Sequence, residues 1–465
     1  MIQEPCIRNF THALAVPQSG IDGVARGWLW LGLSALTGSG VFAILPVFSR
    51  TPFVNQWLPV ADFFRVALVV HVNLSVLVWF VALAGALWSM AGSGRARGLA
   101  WTALGLCILG TAAMVVSPFV EAGTPIMANY IPVIDGRMFM AGLALFGLGG
   151  AALVLRALLT SRRIDPRLTG DGALRFGLNA SAVAAAVAVL AFGASILLVP
   201  GTLDPQTYYE ILFWGGGHAL QFVWTLLMLV GWLWLASATG ARISLSPRLV
   251  VFLLMLALLS VFATPYAYFS TSVTSVEFRS INTWAMRLGG GVSAVPIGLA
   301  VVLGLMQAGR SRVASQAPLR AALISSIALF GAGGMIGVVI NASNVRIPAH
   351  YHGCIVAVTL ALMGLVYVLL PRFGYRAPAG RLACWQPWLY GAGQLLHIIG
   401  LVWSGGYGVQ RKVAGAEQVL RTPSEIAGMG LMGIGGLIAI IGGLLFVVVV
   451  LRAMRPLPAS AGEGA

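Results

Sequence analysis

The sequence predicts an all-α, polytopic membrane bundle of about twelve transmembrane helices, and three observations carry that expectation. Of the 465 residues, 59% are hydrophobic and only 9% charged, too apolar a balance for one water-soluble core. Runs of about 18 or more apolar residues recur along nearly the whole chain, each long enough to cross a hydrocarbon layer about 30 Å thick. Arginines gather in alternate short loops, the asymmetry that sets the orientation of multi-span proteins. Only helices and closed barrels satisfy their backbone in lipid, and runs of this length read as helices.

Taken in order, the runs are bounded by Arg, Pro and Gly. The first, 27–49, lies between Arg26 and Arg50. Arg95 and Arg97 separate 63–92 from 99–119, and Arg162, Arg163 and Arg167 separate 137–159 from 173–200. Next come 208–239, closed by Gly240, and 249–270, which opens after Arg248. Arg310 and Arg312 separate 280–306 from 320–342. Pro371 and Arg372 close 346–371, and 384–407 and 426–453 complete the set. An even count puts both termini on one side. With Arg8, Arg26, Arg452 and Arg455 at the ends, roughly two thirds of the basic residues share that side, which is expected to be cytoplasmic in a bacterial-type inner membrane.

The net charge of +15 reports orientation, and no nucleic-acid partner is expected. Asp62, Glu121, Asp135, Asp204, Glu210, Glu277, Glu417 and Glu425 fall in or beside the opposite loops, and none sits mid-span. A proton-coupled carrier usually buries a carboxylate there, and no internal repeat is evident, so a transporter is disfavoured. Pro5, Pro17 and Asp22 precede the first run without a compact apolar stretch, so no cleaved leader is expected. The chain reads as one domain, 1–465. Cys6, Cys107, Cys354 and Cys384 form no metal or disulfide pattern; without C-x-x-C-H there is no covalent c-type haem, and without paired Cys no such copper site.

Five of the six histidines lie in or beside spans. His71 is about eight residues into the second span and His218 about ten into the sixth, both entering from outside, while His350 and His352 open the tenth. All four share the outer part of the membrane. A lone histidine in a span is often an interhelical contact, but four at one depth point to a site. Residues two apart on a helix diverge by roughly 200°, so His350 and His352 can serve two centres on opposite faces of one helix. Imidazole is a common axial ligand of haem iron, and a six-coordinate haem takes two from different elements; His71 can be the second. His12, in a polar segment, is expected to be solvated.

These residues resemble subunit I of the haem–copper oxidase superfamily, which includes terminal oxidases and nitric oxide reductases. His71, in His-Val-Asn-Leu-Ser-Val-Leu-Val-Trp-Phe, resembles the family's second-helix ligand to a low-spin haem, and Pro348-Ala-His350-Tyr-His352-Gly resembles its tenth-helix H-x-H motif. The likeness implies a low-spin haem on His71 and His352 and a high-spin haem on His350, both bound non-covalently, b-type or other. Phe213-Trp-Gly-Gly-Gly-His218 resembles the turn that brings the first copper ligand. Trp403-Ser-Gly-Gly-Tyr-Gly-Val-Gln-Arg411-Lys412 resembles the loop whose basic pair binds haem propionates. His397, after Gly393-Gln394, has a counterpart beside the haems and is expected to pack near one or to join helices.

The chain departs from the family where the seventh span should carry a His-His pair: it reads Phe262-Ala-Thr-Pro-Tyr-Ala-Tyr-Phe-Ser-Thr-Ser. Phe222 stands where many members have a cross-linked tyrosine. One imidazole is a poor copper site, so copper is doubtful; Tyr266, Tyr268, Ser270, Thr271 and Glu277 are nearby oxygen donors for another metal such as iron. The inner halves of the spans carry no acidic residue for proton uptake, although Thr102 and Thr225 offer hydroxyls, whereas Asp204, Glu210 and Glu277 lie outside. The expected function is a dihaem respiratory oxidoreductase reducing a diatomic gas, O2 as in cytochrome c oxidase, with His350 and His218 at the reaction site. An NO-reducing enzyme and a haem-bearing electron-transfer or sensing subunit are the alternatives. The expected partners are the lipid bilayer, the gas, and a subunit II-like or cytochrome c-type electron donor on the periplasmic side.

Overall fold

A computed structural model describes residues 10–16, 23–54, 61–309, 313–340, 343–413 and 418–455, with the side chains of 61 and 62 excepted. Cys6, Arg8, Arg310, Arg312 and Glu417 lie outside the described residues, as does the side chain of Asp62. The helices are α1 (Gly23–Arg50), α2 (Ala61–Val72), α3 (Trp79–Ala91), α4 (Arg97–Val120), α5 (Arg137–Thr160), α6 (Gly170–Leu198), α7 (Pro205–Leu212), α8 (Trp214–Ala238), α9 (Pro247–Val261), α10 (Ala263–Ser270), α11 (Val276–Ala308), α12 (Ala317–Val338), α13 (Arg346–Leu369), α14 (Gly380–Gly406) and α15 (Pro423–Ala453).

All twelve expected spans correspond to helices, α2 with α3 and α9 with α10 each forming one crossing. Among the described residues, eleven are long and apolar enough to cross a membrane. The twelfth, α14, has 27 residues but is interrupted by Arg381, Gln386, Gln394 and His397. The chain is a multi-pass membrane protein. Starts are fixed by side-chain caps: Thr169, Asp204, Ser246, Ser275 and Thr422 each accept a hydrogen bond from a first-turn amide.

The centre of the bundle is α8 and α13, whose most apolar stretches are 89% and 83% buried against 33–56% for the other spans. Leu197 and Phe269, 85% and 92% exposed, belong to the lipid-facing surface, where apolar side chains need no protein cover. Glycines let α14 and α15 touch backbone to backbone: a Cβ on Gly400 would lie 2.4 Å from the Met432 nitrogen, and one on Gly393 2.5 Å from that of Ala439.

The crossings are less regular than apolar runs suggest. Between α2 and α3, residues Asn73–Val78 are π-helical. The Asn73 amide donates to the Val69 carbonyl at 2.9 Å and to Pro132 at 2.7 Å, a side chain competing inside the helical ladder. The sixth span breaks at Phe213, so His218 lies near the N-terminal end of α8 and not deep in one continuous helix. The seventh breaks at Phe262, where Pro265 withholds the amide that would bind Val261. A two-stranded antiparallel hairpin, β1 (Thr124–Ile126) and β2 (Val133–Asp135), joins α4 to α5 in register Thr124 to Asp135.

His12 is not solvated: it is fully buried. Residues 10–16 lie as a strap across one end of the bundle, with Phe10 bridged to Ile243 and the His12 amide donating to Ser237 Oγ at 2.8 Å. The Ala15 amide donates to Asp171, Arg175 donates to the Ala15 carbonyl and Arg372 to the Leu14 carbonyl, each at 2.7 Å. Apolar neighbours around this short segment decide its burial, a contribution invisible to local polarity.

Candidate functional site

The end of the bundle opposite the strap of residues 10–16 brings the histidines into three places. His71 closes α2 immediately before the π-helical turn, and such turns are often found at functional sites. Its Nδ1 lies 2.9 Å from the Ser39 carbonyl and 3.0 Å from Ser39 Oγ on α1. An Nδ1–H donating to that carbonyl leaves Nε2 as the free lone pair, the arrangement common among metal-binding imidazoles.

His352, in the second turn of α13, faces His397 of α14 with ring centroids 4.9 Å apart, and the Gln394 side chain lies beside it. His71 and Arg50 lie within electrostatic range of both rings. His397 is fastened through Nδ1 to the Met432 carbonyl at 3.0 Å. The structure therefore gathers His71, His352 and His397 in one cluster.

His350 points elsewhere, as two-residue spacing on a helix requires. Its Nδ1 lies 2.7 Å from the Gly333 carbonyl of α12, again leaving Nε2 free, and Cys354 Sγ is 4.0 Å away. Gly337 makes room for the ring: a Cβ there would sit 2.7 Å from Cε1.

The third place is His218. Its Nδ1 lies 2.8 Å from the Trp214 carbonyl, and its Nε2 is 3.0 Å from the Tyr130 hydroxyl. Gly215, Gly216 and Gly217 each admit an aromatic ring, from Tyr268, Phe192 and Tyr130 respectively, at distances that a Cβ would forbid. Tyr268 is occupied with Ser195 at 2.6 Å, and Phe222 is buried against Gly289. Tyr266, Ser270, Thr271 and Glu277 line a cleft open to the surface, with Glu277 exposed in the first turn of α11. Among the described residues, no three or more His, Cys, Asp or Glu side chains are grouped to hold a metal ion.

Arg411 and Lys412 sit at the same end, on the loop after α14. Arg411 donates to Asn129 Oδ1 at 3.2 Å, and Lys412 donates to the Met127 carbonyl from a backbone held at φ 65°. Glu210 accepts from the Asn129 amide at 3.0 Å and from its side-chain nitrogen. Burial pushes the Glu210 carboxyl up from its ordinary value, opposed by Lys412 and Arg411, and burial pushes the Lys412 ammonium down. Burial, then the Glu210 charge, pushes the Tyr130 phenol up, so it remains a donor. Tyr351, between the two motif histidines, has Arg411 and Arg50 as its charged neighbours, which ties the basic loop to α13.

Sequence reasoning did not single out Tyr130, Ser39 or Arg50. Arg50 carries a signal: with Arg411 and Lys412 it is a basic group on the side that the acidic residues dominate, an exception to the charge bias that asks for an anionic neighbour. Tyr130 carries none, since one tyrosine in an outer loop looks like any other.

Residues 23–445 match the family described as Cytochrome C and Quinol oxidase polypeptide I. An uncharacterized protein of Rickettsia prowazekii (strain Madrid E) is 28% identical over 494 residues, 92% of this chain and 95% of that protein. An uncharacterized protein of Aquifex aeolicus (strain VF5) is 27% identical over 355 residues, 76% of this chain and 86% of that one. A heme-copper terminal oxidase dimer solved by cryo-EM shares the fold at TM-score 0.71 and 16% identity, covering 94% of this chain and 85% of that chain. With the match spanning all but the chain's two ends, this protein belongs to the cytochrome c and quinol oxidase polypeptide I family, the haem–copper oxidase subunit I group of respiratory oxidoreductases.

Proposed function

We propose that the chain is a dihaem oxidoreductase in which His71 and His352 hold a low-spin haem, His350 holds a high-spin haem, and a diatomic gas, O2 in the first instance, is reduced at the second. The observation that carries this reading is shared by His71 and His350: each Nδ1 is tied to a backbone carbonyl of a neighbouring helix, at 2.9 and 2.7 Å, which orients Nε2 as a ligand. The donor set fits haem, with neutral imidazoles on helices and basic groups at the outer end for carboxylates.

The haems, when bound, supply the electron transfer and the gas-binding iron. The chain's own residues do the rest. Ser39 and Gly333 hold the two imidazoles in one tautomer, and His397 and Gln394 pack against the His352 ring. Arg411 and Lys412, with Arg50 behind them, supply positive charge for propionates and for the docking of a periplasmic electron donor, subunit II-like or cytochrome c-type. Residues 1–465 act as one domain in this reading, with the strap end and both termini cytoplasmic.

The residues do not fit the family's copper. His218 has both ring nitrogens engaged, and its expected companions in the seventh span are aromatic and hydroxyl side chains. This favours a second reading, an electron-transfer or sensing member that binds gas without four-electron reduction; an NO-reducing enzyme is the variant in which Glu210 and Asp204 serve protons from outside. Spectra of the purified chain with and without carbon monoxide, with metal content and gas consumption, separate them. Two haems with gas turnover support the reductase, two haems without it the sensing member, and a colourless protein ends both.

A further inference from the structure

We propose that Tyr130 is the residue that keeps the His218 site free of a second metal, so that this chain carries haem iron alone. The inference deepens the dihaem reading and rests on it for its setting, but its observations are its own.

An imidazole binds a metal through a nitrogen lone pair, and His218 has one to offer. Its Nδ1 is committed to the Trp214 carbonyl at 2.8 Å, a contact that only an N–H can make. The lone pair is then on Nε2, and the Tyr130 hydroxyl lies 3.0 Å from it. A protonated phenol facing an acceptor nitrogen donates, so the only nitrogen able to reach a metal is closed by a hydrogen bond.

The hydroxyl that makes this contact is held in place by a built seat. The Tyr130 ring packs at 4.9 Å from the imidazole and edge-on to Trp214 at 5.8 Å, while Trp214 also packs at 4.9 Å from His218, so the three rings form one cluster. Gly217 has no side chain because the tyrosine occupies that space: a Cβ would lie 2.3 Å from Tyr130 Cγ. The hairpin of β1 and β2 carries Tyr130 into this seat, and the neighbouring Asn129 is gripped by Glu210 and Arg411. Of the seventh-span oxygen donors, Tyr268 is committed as well, bound to Ser195 and to the Ala191 carbonyl. A metal at His218 would have to displace the Tyr130 hydroxyl and find its other donors elsewhere, against the several N or S donors that copper normally takes.

The test uses the full-length purified chain and Cu(I) alone, titrated against a competing chelator, with haem counted on the same samples. Wild type is expected to retain no copper after desalting. Tyr130→Phe preserves the ring and removes only the hydroxyl; it is expected to bind copper about fivefold more tightly, the size of one net hydrogen bond, and Tyr130→Phe with His218→Ala to lose the gain. Copper retained by wild type and lost in His218→Ala would overturn the proposal, and so would a Tyr130→Phe titration identical to wild type. Should Tyr130→Phe fail to fold, Tyr130→Leu, which also lacks the hydroxyl, takes its place with the same expected gain, and a titration identical to wild type would overturn the proposal. Absence of haem would sink the dihaem reading and leave the copper titration to judge Tyr130 by itself.

Discussion

The imidazoles of His352 and His397 lie 4.9 Å apart between α13 and α14, tilted by 54°, and His397 is pinned from behind by the Met432 carbonyl. That contact makes His397 a positioning residue for His352 in the proposed low-spin site. His397→Phe keeps a ring in place and removes the Met432 anchor. It is expected to retain both haems while shifting the low-spin haem's absorption band and midpoint potential, measured by redox titration; loss of haem from both sites would contradict the separate role.

Gly337 gives a sharper test of His350, because it acts on that ring without replacing it. In Gly337→Ala the new methyl meets the His350 ring at 2.7 Å, and neither helix backbone nor imidazole yields cheaply. The expected outcome is loss of carbon monoxide binding with the His71–His352 haem spectrum retained.

Arg411 and Lys412 bear on electrostatics more than on folding. Replacing Arg411 by Gln removes a positive charge beside Tyr351 and the proposed propionates, and the midpoint potential of the nearer haem is expected to fall by an amount on the order of tens of millivolts. An unchanged potential at low ionic strength would place the propionates elsewhere.

The strap predicts a pH dependence. Burial holds the His12 imidazole down at about 4 from its ordinary 6.5, the Phe10 backbone only partly offsetting it, with no well-formed hydrogen bond to either ring nitrogen among the described residues. The unfolded chain therefore takes up this proton first, so the contribution is complete above pH 6.5 and is lost as pH falls toward about 4. Thermal unfolding followed by tryptophan fluorescence should show wild type losing stability over that window, and His12→Phe should flatten the loss attributable to this residue. Asp171, Arg175 and Arg372 are the charged side chains that latch the strap.

Much of this was legible beforehand because lipid imposes a coarse rule: every crossing needs a long apolar run, and eleven of the twelve expected spans are helices that meet it among the described residues, α14 being the polar exception. Two-residue spacing in His350-Tyr351-His352 likewise forced two faces, and the structure places one ring toward Gly333 and the other toward His397. What hydropathy cannot report is a break within a run. Phe213 ends α7 and the Asn73 amide opens a π-helical turn, yet both segments are as apolar as continuous helices. His12 and Tyr130 were misjudged or missed for a related reason: both lie on short segments whose burial is decided by distant helices.

The central claim is that two histidine-held haems occupy opposite faces of α13, and the most direct measurement is a reduced-minus-oxidised spectrum, with and without carbon monoxide, of wild type beside His350→Ala. Wild type should show two haems per chain, one of them binding carbon monoxide, and His350→Ala should keep the low-spin bands and lose only the gas-binding haem. Loss of both haems in His350→Ala, or full carbon monoxide binding without His350, would contradict the assignment.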